Sequence, residues 1–120
     1  MTCRSILTGW LTATVLGCAA APAGQPVRRG LDIYFIDVEG GAAELIVTPV
    51  GESVLIDSGS RCPDQRDARR IYKAARSAGL KRIDHYITTH WHLDHYGGIG
   101  QLAEMLPVVR FYDKGIPETL

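Results

Sequence analysis

From Leu31 to Val38 the chain reads Leu-Asp-Ile-Tyr-Phe-Ile-Asp-Val, a run rich in β-branched and aromatic residues that predicts a first strand. Glu39-Gly40-Gly41 breaks it, and Ala42 to Thr48 predicts a second strand, closed by Pro49-Val50-Gly51. Ser53-Val54-Leu55-Ile56-Asp57 predicts a third, stopped by Ser58-Gly59, and the short connection before it implies an antiparallel hairpin. The period then changes. After Pro63-Asp64 the apolar positions Ala68, Ile71, Tyr72, Ala75 and Ala78 recur at helical spacing, and Gly79 is a natural stop. Ile83 to Thr89 predicts a fourth strand; a short helix follows Gly97-Gly98-Ile99-Gly100 and ends at Leu106 before Pro107; Val108 to Tyr112 predicts a fifth strand. Three strands, helix, strand, helix, strand is an α+β order, suited to a sheet covered by helices on one face.

The first 23 residues follow a different pattern. Arg4 is the only charge before Arg28, and Ile6 to Ala21 is apolar, small or hydroxylic. The run is shorter than the ~20 predominantly apolar residues of a membrane span. It has the parts of a secretory signal: one positive charge, an apolar middle and a small-residue end. Two cleavage sites compete. Val15-Leu16-Gly17-Cys18 resembles a bacterial lipoprotein box, with Cys18 as the lipid-bearing first residue, and Ala21-Pro22-Ala23 is a soluble-export site. Residues 1–23 are therefore expected to be a signal and residues 24–30 a linker, giving a periplasmic protein or a lipoprotein whose membrane contact is the anchor.

Composition leaves this picture intact. With 46% apolar and 22% charged residues the chain is of ordinary globular type, and 120 residues allow one small domain. Loss of the signal removes Arg4, leaving 12 basic against 13 acidic residues, so charge favours neither nucleic acid nor an acidic surface as partner. Arg66, Arg69, Arg70, Lys73 and Arg76 do share the polar face of the predicted helix. That face has no interleaved aromatic residue to stack bases, and a solvated helix surface accounts for it better. Cys3 leaves with the signal, and Cys62 then stands alone or beside an acylated Cys18, too few for a disulfide framework.

The chemistry is concentrated in one window. All four histidines lie between His85 and His95, and His90-Trp91-His92-Leu93-Asp94-His95 follows the fourth strand. Residues at i and i+2 of an extended backbone point to the same side, so His90, His92 and Asp94 are expected on one face. His95 breaks that parity, which requires a turn near Asp94, for which Gly97-Gly98 supplies conformational freedom. Imidazole nitrogen and carboxylate oxygen suit zinc and similar borderline ions, and two ions about 3.5–4 Å apart can share a site of this kind. His85 is expected to pack or hydrogen-bond locally.

Thr89-His90-Trp91-His92-Leu93-Asp94-His95 followed by Gly97-Gly98 resembles the H-x-H-x-D-H signature of the metallo-β-lactamase superfamily. Asp37-Val38-Glu39-Gly40-Gly41-Ala42-Ala43 and Leu55-Ile56-Asp57-Ser58-Gly59 resemble segments of its branch containing the hydrolase domain of ComEC-type competence proteins. The resemblance implies that His90 and His92 bind a first metal, that Asp94 and His95 bind a second with Asp94 also serving catalysis, and that Asp57 orients the site from behind. It implies zinc, two ions per complete domain, and an αββα sandwich of which residues 31–120 form about the first half. Glu39 and Glu44 depart from the branch pattern and receive no role. The later ligands of the family are absent: no histidine follows His95, and Asp113 is the only later aspartate. The chain is accordingly expected to be a piece of a longer domain.

The function expected is an exported zinc-dependent hydrolase in which a metal-bound hydroxide attacks an ester, phosphodiester or amide-type bond of a small-molecule or phosphoester substrate. Two other readings are a non-catalytic metal-binding or scaffold lipoprotein, and a competence-related nuclease, which predicts salt-sensitive DNA binding.

Overall fold

The computed structural model describes residues 30–115. The expected signal segment with both candidate cleavage sites, the expected linker up to residue 29 and the last five residues lie outside the described residues. Five strands form one sheet in the order β1-β2-β3-β4-β5: Asp32–Phe35, Glu44–Val47, Ser53–Ile56, Ile83–Ile87 and Val108–Tyr112. The first three are antiparallel, and β3, β4 and β5 run parallel. Parallel neighbours need a crossover. Between β3 and β4 it is α1, Arg66–Ser77; between β4 and β5 it is two short helices, α2, Leu93–Tyr96, and α3, Ile99–Ala103.

The period-2 pattern sorts the sheet's faces. Leu45, Val47, Leu55 and Tyr86 are buried against Ala68, Ile71 and Ala75 of α1 and Leu102 of α3. The small alanines let α1 lie close to the sheet, and Ile71 fills the space between them. Register places Ile33, Ile46, Val54, His85 and Arg110 in one row on the opposite face, and Phe35, Glu44, Ile56, Ile87 and Tyr112 in the next. No described helix covers that side, where Phe35 is 82% exposed. Helices on one face of a mixed sheet are the arrangement the sequence predicts.

The element ends differ from expectation. The first strand is four residues rather than eight, and α1 starts at Arg66 rather than at Pro63-Asp64. Gln65 explains the later start: it sits in the left-handed region at φ 58°, so no helix can run through it. At the other end, Leu80 N–H donates to the Ala75 carbonyl and Gly79 N–H to Arg76, the paired bonds of a Schellman stop, with Gly79 at φ 78°.

The basic face of α1 is partly neutralised. Arg66 pairs with Glu39 at 2.5 Å and Asp67 at 2.7 Å, and Arg70 with Asp37 at 3.0 Å. The bonded Asp67 carboxylate raises the Arg66 guanidinium further above its already high ordinary value. Glu39, to which the sequence assigned nothing, thus ties the β1–β2 loop to α1. Cys62 is a free, half-buried loop thiol whose backbone is bracketed by the Gln101 side chain. His85 is locally bonded as expected, with Nδ1 2.9 Å from the Tyr112 hydroxyl and Nε2 2.9 Å from Glu52. Among the described residues no helix is long and apolar enough to cross a membrane.

Candidate metal centre

β3 and β4 are parallel neighbours, so their C-terminal ends deliver Asp57 and Thr89 side by side. Asp57 N–H donates to the Ile87 carbonyl at 2.9 Å, extending the ladder one step past the strand. The residue is 2% exposed and adopts φ 58°, a left-handed conformation that is unusual outside glycine and is tolerated by aspartate. Its carboxylate accepts three bonds: Thr89 N–H at 2.9 Å on Oδ1, and the Thr89 hydroxyl at 2.7 Å and His95 Nδ1 at 2.8 Å on Oδ2. A carboxylate can only accept, so His95 Nδ1 carries the proton and Nε2 faces outward.

His90, His92 and His95 come together beyond this base. The rings of His90 and His95 lie 3.9 Å apart between centroids, and those of His90 and His92 4.6 Å. His90 Nε2 approaches His92 Nδ1 to 3.1 Å, and Asp94 Oδ2 is 3.9 Å from His95 Nε2. His92 is exposed and His90 half-buried, leaving the cluster open to solvent on one side.

The chain does turn near Asp94, but it begins to do so one residue earlier, which takes Asp94 off the expected common face. His92 is still extended, at φ −90° and ψ 140°, but the chain enters the helical turn α2 at Leu93. His95 and Tyr96 N–H both donate to the His92 carbonyl, so Asp94 lies inside a turn and not on a common extended face with His90 and His92. Nor do Gly97 and Gly98 supply unusual backbone freedom: Gly97 at φ −63° and Gly98 at φ −80° are ordinary helical values. Gly98 is required for contact. A Cβ there would stand 2.1 Å from the Ser58 carbonyl oxygen, and one on Gly41 would stand 1.9 Å from that of Asp94. The histidine turn is thus clamped between the β1–β2 loop and the segment after β3. Ser58 N–H donates to the His95 carbonyl at 2.6 Å, and the Ser58 hydroxyl donates to the same oxygen at 3.2 Å. That hydroxyl in turn receives the Tyr86 phenol at 3.0 Å. Burial pushes the Tyr86 phenol above its ordinary value, which keeps in place the proton it donates to Ser58.

Do these side chains suit a metal ion? Two nitrogens about 2.0–2.1 Å from a tetrahedral zinc are about 3.3 Å apart, close to the His90–His92 separation. The Asp94–His95 separation is about half an ångström wider than such an edge. Donor type therefore fits throughout and spacing fits the first pair well. Number does not: among the described residues no group of three or more His, Cys, Asp or Glu side chains is placed around one ion. The set is two pairs, each short of the three protein donors a catalytic zinc takes.

Residues 36–119 match the profile of the metallo-beta-lactamase superfamily. The chain belongs to that superfamily. Among curated proteins it is 31% identical over 67 residues to "Lactamase-like protein notP" of Aspergillus sp. (strain MF297-2). Over the same length it is 33% identical to "Atrochrysone carboxyl ACP thioesterase dmxR1" of Cryptosporiopsis sp. (strain 8999). Both matches cover 56% of this chain and 20% of the relative, so the chain spans about a fifth of the length of these proteins. Among solved structures it resembles MEM-A1, a subclass B3 metallo-beta-lactamase isolated from a soil metagenome library, with a TM-score of 0.52 at 30% identity. That match covers 66% of this chain and 28% of the enzyme. The fold is that of a metallo-β-lactamase, present here as part of the domain.

Proposed function

We propose that the protein of which these residues form part is an exported metal-dependent hydrolase that cleaves an ester-type bond. The observation that carries this reading is the convergence of His90 Nε2 and His92 Nδ1 to 3.1 Å beside Asp94 and His95, on a base set by the buried Asp57. His90 and His92 would hold one zinc-like ion and Asp94 and His95 a second, with the remaining donors coming from outside the described residues. Such ions acidify water towards a pKa of ~7 and offset negative charge developing on oxygen. The chain's own residues do the rest. Asp57 orients His95, and Asp94, with its side chain 44% exposed, lies at the open side, where its carboxylate can accept a proton from the attacking water. The Trp91 indole Nε1–H donates to the Gly115 carbonyl at 3.0 Å, holding the chain after β5 beside the histidines.

Export is supported by the signal-like pattern of residues 1–23 and lipidation by Val15-Leu16-Gly17-Cys18. The substrate is a small molecule or a phosphoester. The segments at Asp37–Ala43 and Leu55–Gly59 that resemble ComEC-type hydrolases favour phosphodiesters, whereas the relative named as a thioesterase favours a thioester. Partial neutralisation of the α1 basic face gives DNA little to bind.

The deciding experiment is elemental analysis of the full-length protein, with hydrolysis of phosphodiester, thioester and β-lactam substrates before and after chelation. About two zinc-like ions per chain and activity lost on chelation are expected, with His92→Ala losing both metal and activity while keeping its fold. A protein without metal, or activity that survives chelation, would overturn the reading.

A further inference from the structure

We infer that Thr89 is a positioning residue that relays Asp57 to His90, so that one buried carboxylate sets the proton on a histidine of each donor pair. The inference rests on the reading of His90, His92, Asp94 and His95 as metal ligands, and it follows from counting protons. Thr89 has a single hydroxyl hydrogen, and at 2.7 Å from Asp57 Oδ2 it is directed to an atom that can only accept. What Thr89 Oγ1 presents to His90 Nδ1, 3.0 Å away, is therefore a lone pair. Nδ1 must carry the hydrogen, and in the neutral ring Nε2 is then the unprotonated nitrogen, the one that faces His92.

The same oxygen of Asp57 fixes His95 directly, at 2.8 Å from Nδ1. Asp57 Oδ2 thus leaves Nε2 of His90 and Nε2 of His95 as free donor atoms, one through a hydroxyl and one by contact. His92 lacks such a constraint. Its Nδ1 faces His90 Nε2, so metal-free His92 donates its Nδ1 hydrogen there and must move that proton to Nε2 before Nδ1 can bind an ion. His90 and His95 are preset; His92 adapts. Because Thr89 N–H is also bound to Asp57 Oδ1, the hydroxyl is held in place by the backbone as well as by its own bond.

Asparagine at position 57 makes the inference testable. With its oxygen kept on Thr89 N–H, its amide nitrogen replaces Oδ2 and becomes a donor to both Thr89 Oγ1 and His95 Nδ1. The Thr89 hydrogen is then released towards His90 Nδ1, and both rings invert to the Nε2–H form. Nitrogen-15 NMR of histidine-labelled, metal-free full-length protein reads these tautomers, and zinc titration follows the consequence.

Wild type and Thr89→Ser should show Nδ1–H at His90 and His95. Thr89→Val, of nearly the same shape, should lose the preference at His90 alone, and Asp57→Asn should invert both rings. Zinc affinity should fall about tenfold or more in Thr89→Val and Asp57→Asn and stay near wild type in Thr89→Ser. If Thr89→Val keeps His90 in the Nδ1–H form, or if the serine and valine variants behave alike, the relay is overturned. A wild type that takes up no zinc would instead sink the metal reading, with the tautomers still deciding the role of Thr89.

Discussion

Gly41 and Asp94 are 53 positions apart in the chain, yet the carbonyl of one occupies the volume a side chain on the other would need. Ala42 N–H also reaches that carbonyl, at 3.3 Å, so the loop both makes room for the histidine turn and bonds to it. Alanine at 41 must push Asp94 away or distort the loop. Gly41→Ala should lower stability by about 1–3 kcal/mol, the usual range for overpacking. It should reduce zinc uptake disproportionately, because Asp94 is itself a proposed ligand. Urea unfolding and zinc titration of the same variant separate the two effects; unchanged uptake would mean that the turn is not held by this contact. The proposed donors were legible in the sequence because three imidazoles and an acid crowd into six residues. Thr89 was visible only as part of a motif. Its role depends on where Asp57 lies, 32 positions earlier, and no local pattern encodes that proximity.

The five strands were legible because each alternates or runs apolar over at least four residues between turn formers. The helix α1 was legible from its stripe, whose members Ala68, Ile71 and Ala75 are fully buried. The turn α2 was not. Four residues are barely one helical turn, too few for any periodicity, and the i, i+2 spacing of His90, His92 and Asp94 imitates a strand. What makes Leu93–Tyr96 helical is tertiary, since its His95 carbonyl is held by Ser58, which is held in turn by Tyr86 of β4. Tyr86→Phe should therefore act on α2 at a distance. Loss of one buried hydrogen bond should cost about 0.5–1.5 kcal/mol of global stability. The Ser58 amide should exchange hydrogen faster relative to that of Leu55, as α2 loosens before the sheet does. Equal acceleration at both amides would show that the phenol supports only the core.

Acid sensitivity belongs to the whole molecule. Asp84 joins β4 to β3, receiving Ser53 N–H at 3.0 Å, the Ser53 hydroxyl at 2.9 Å and Arg82 Nε at 2.7 Å. Burial alone would push this carboxyl up, but the bonds from Arg82 and Ser53 together hold it below its ordinary value of 3.8. A group depressed on folding contributes stability above its unfolded pKa and loses it as pH falls through the folded one. Urea midpoints compared between wild type and Asp84→Asn should therefore differ most above pH ~4 and converge below it; a constant gap down to pH 2 would show no linkage to this carboxyl.

The open face of the sheet makes the larger statement. Ile33, Ile46 and Val54 in one row and Phe35, Ile56 and Ile87 in the next make this face largely apolar, with Glu44 interrupting the second row between Phe35 and Ile56. A metallo-β-lactamase domain is a sandwich, and the fold of this chain supplies the side of it that carries α1 and α3. If the full-length protein lays a second sheet here, Phe35, 82% exposed among the described residues, becomes core. Truncation of a core phenylalanine costs about 3–5 kcal/mol, whereas a surface substitution stays within about 0.5 kcal/mol. Phe35→Ala in the full-length protein should fall in the first range by urea unfolding. The proposed metal pairs sit at one end of the same sheet, so displacement of a covering sheet should also reduce zinc uptake. A Phe35→Ala protein as stable as wild type would mean that this face stays open, and the donors missing from each pair would then have to come from somewhere other than a second sheet packed upon it.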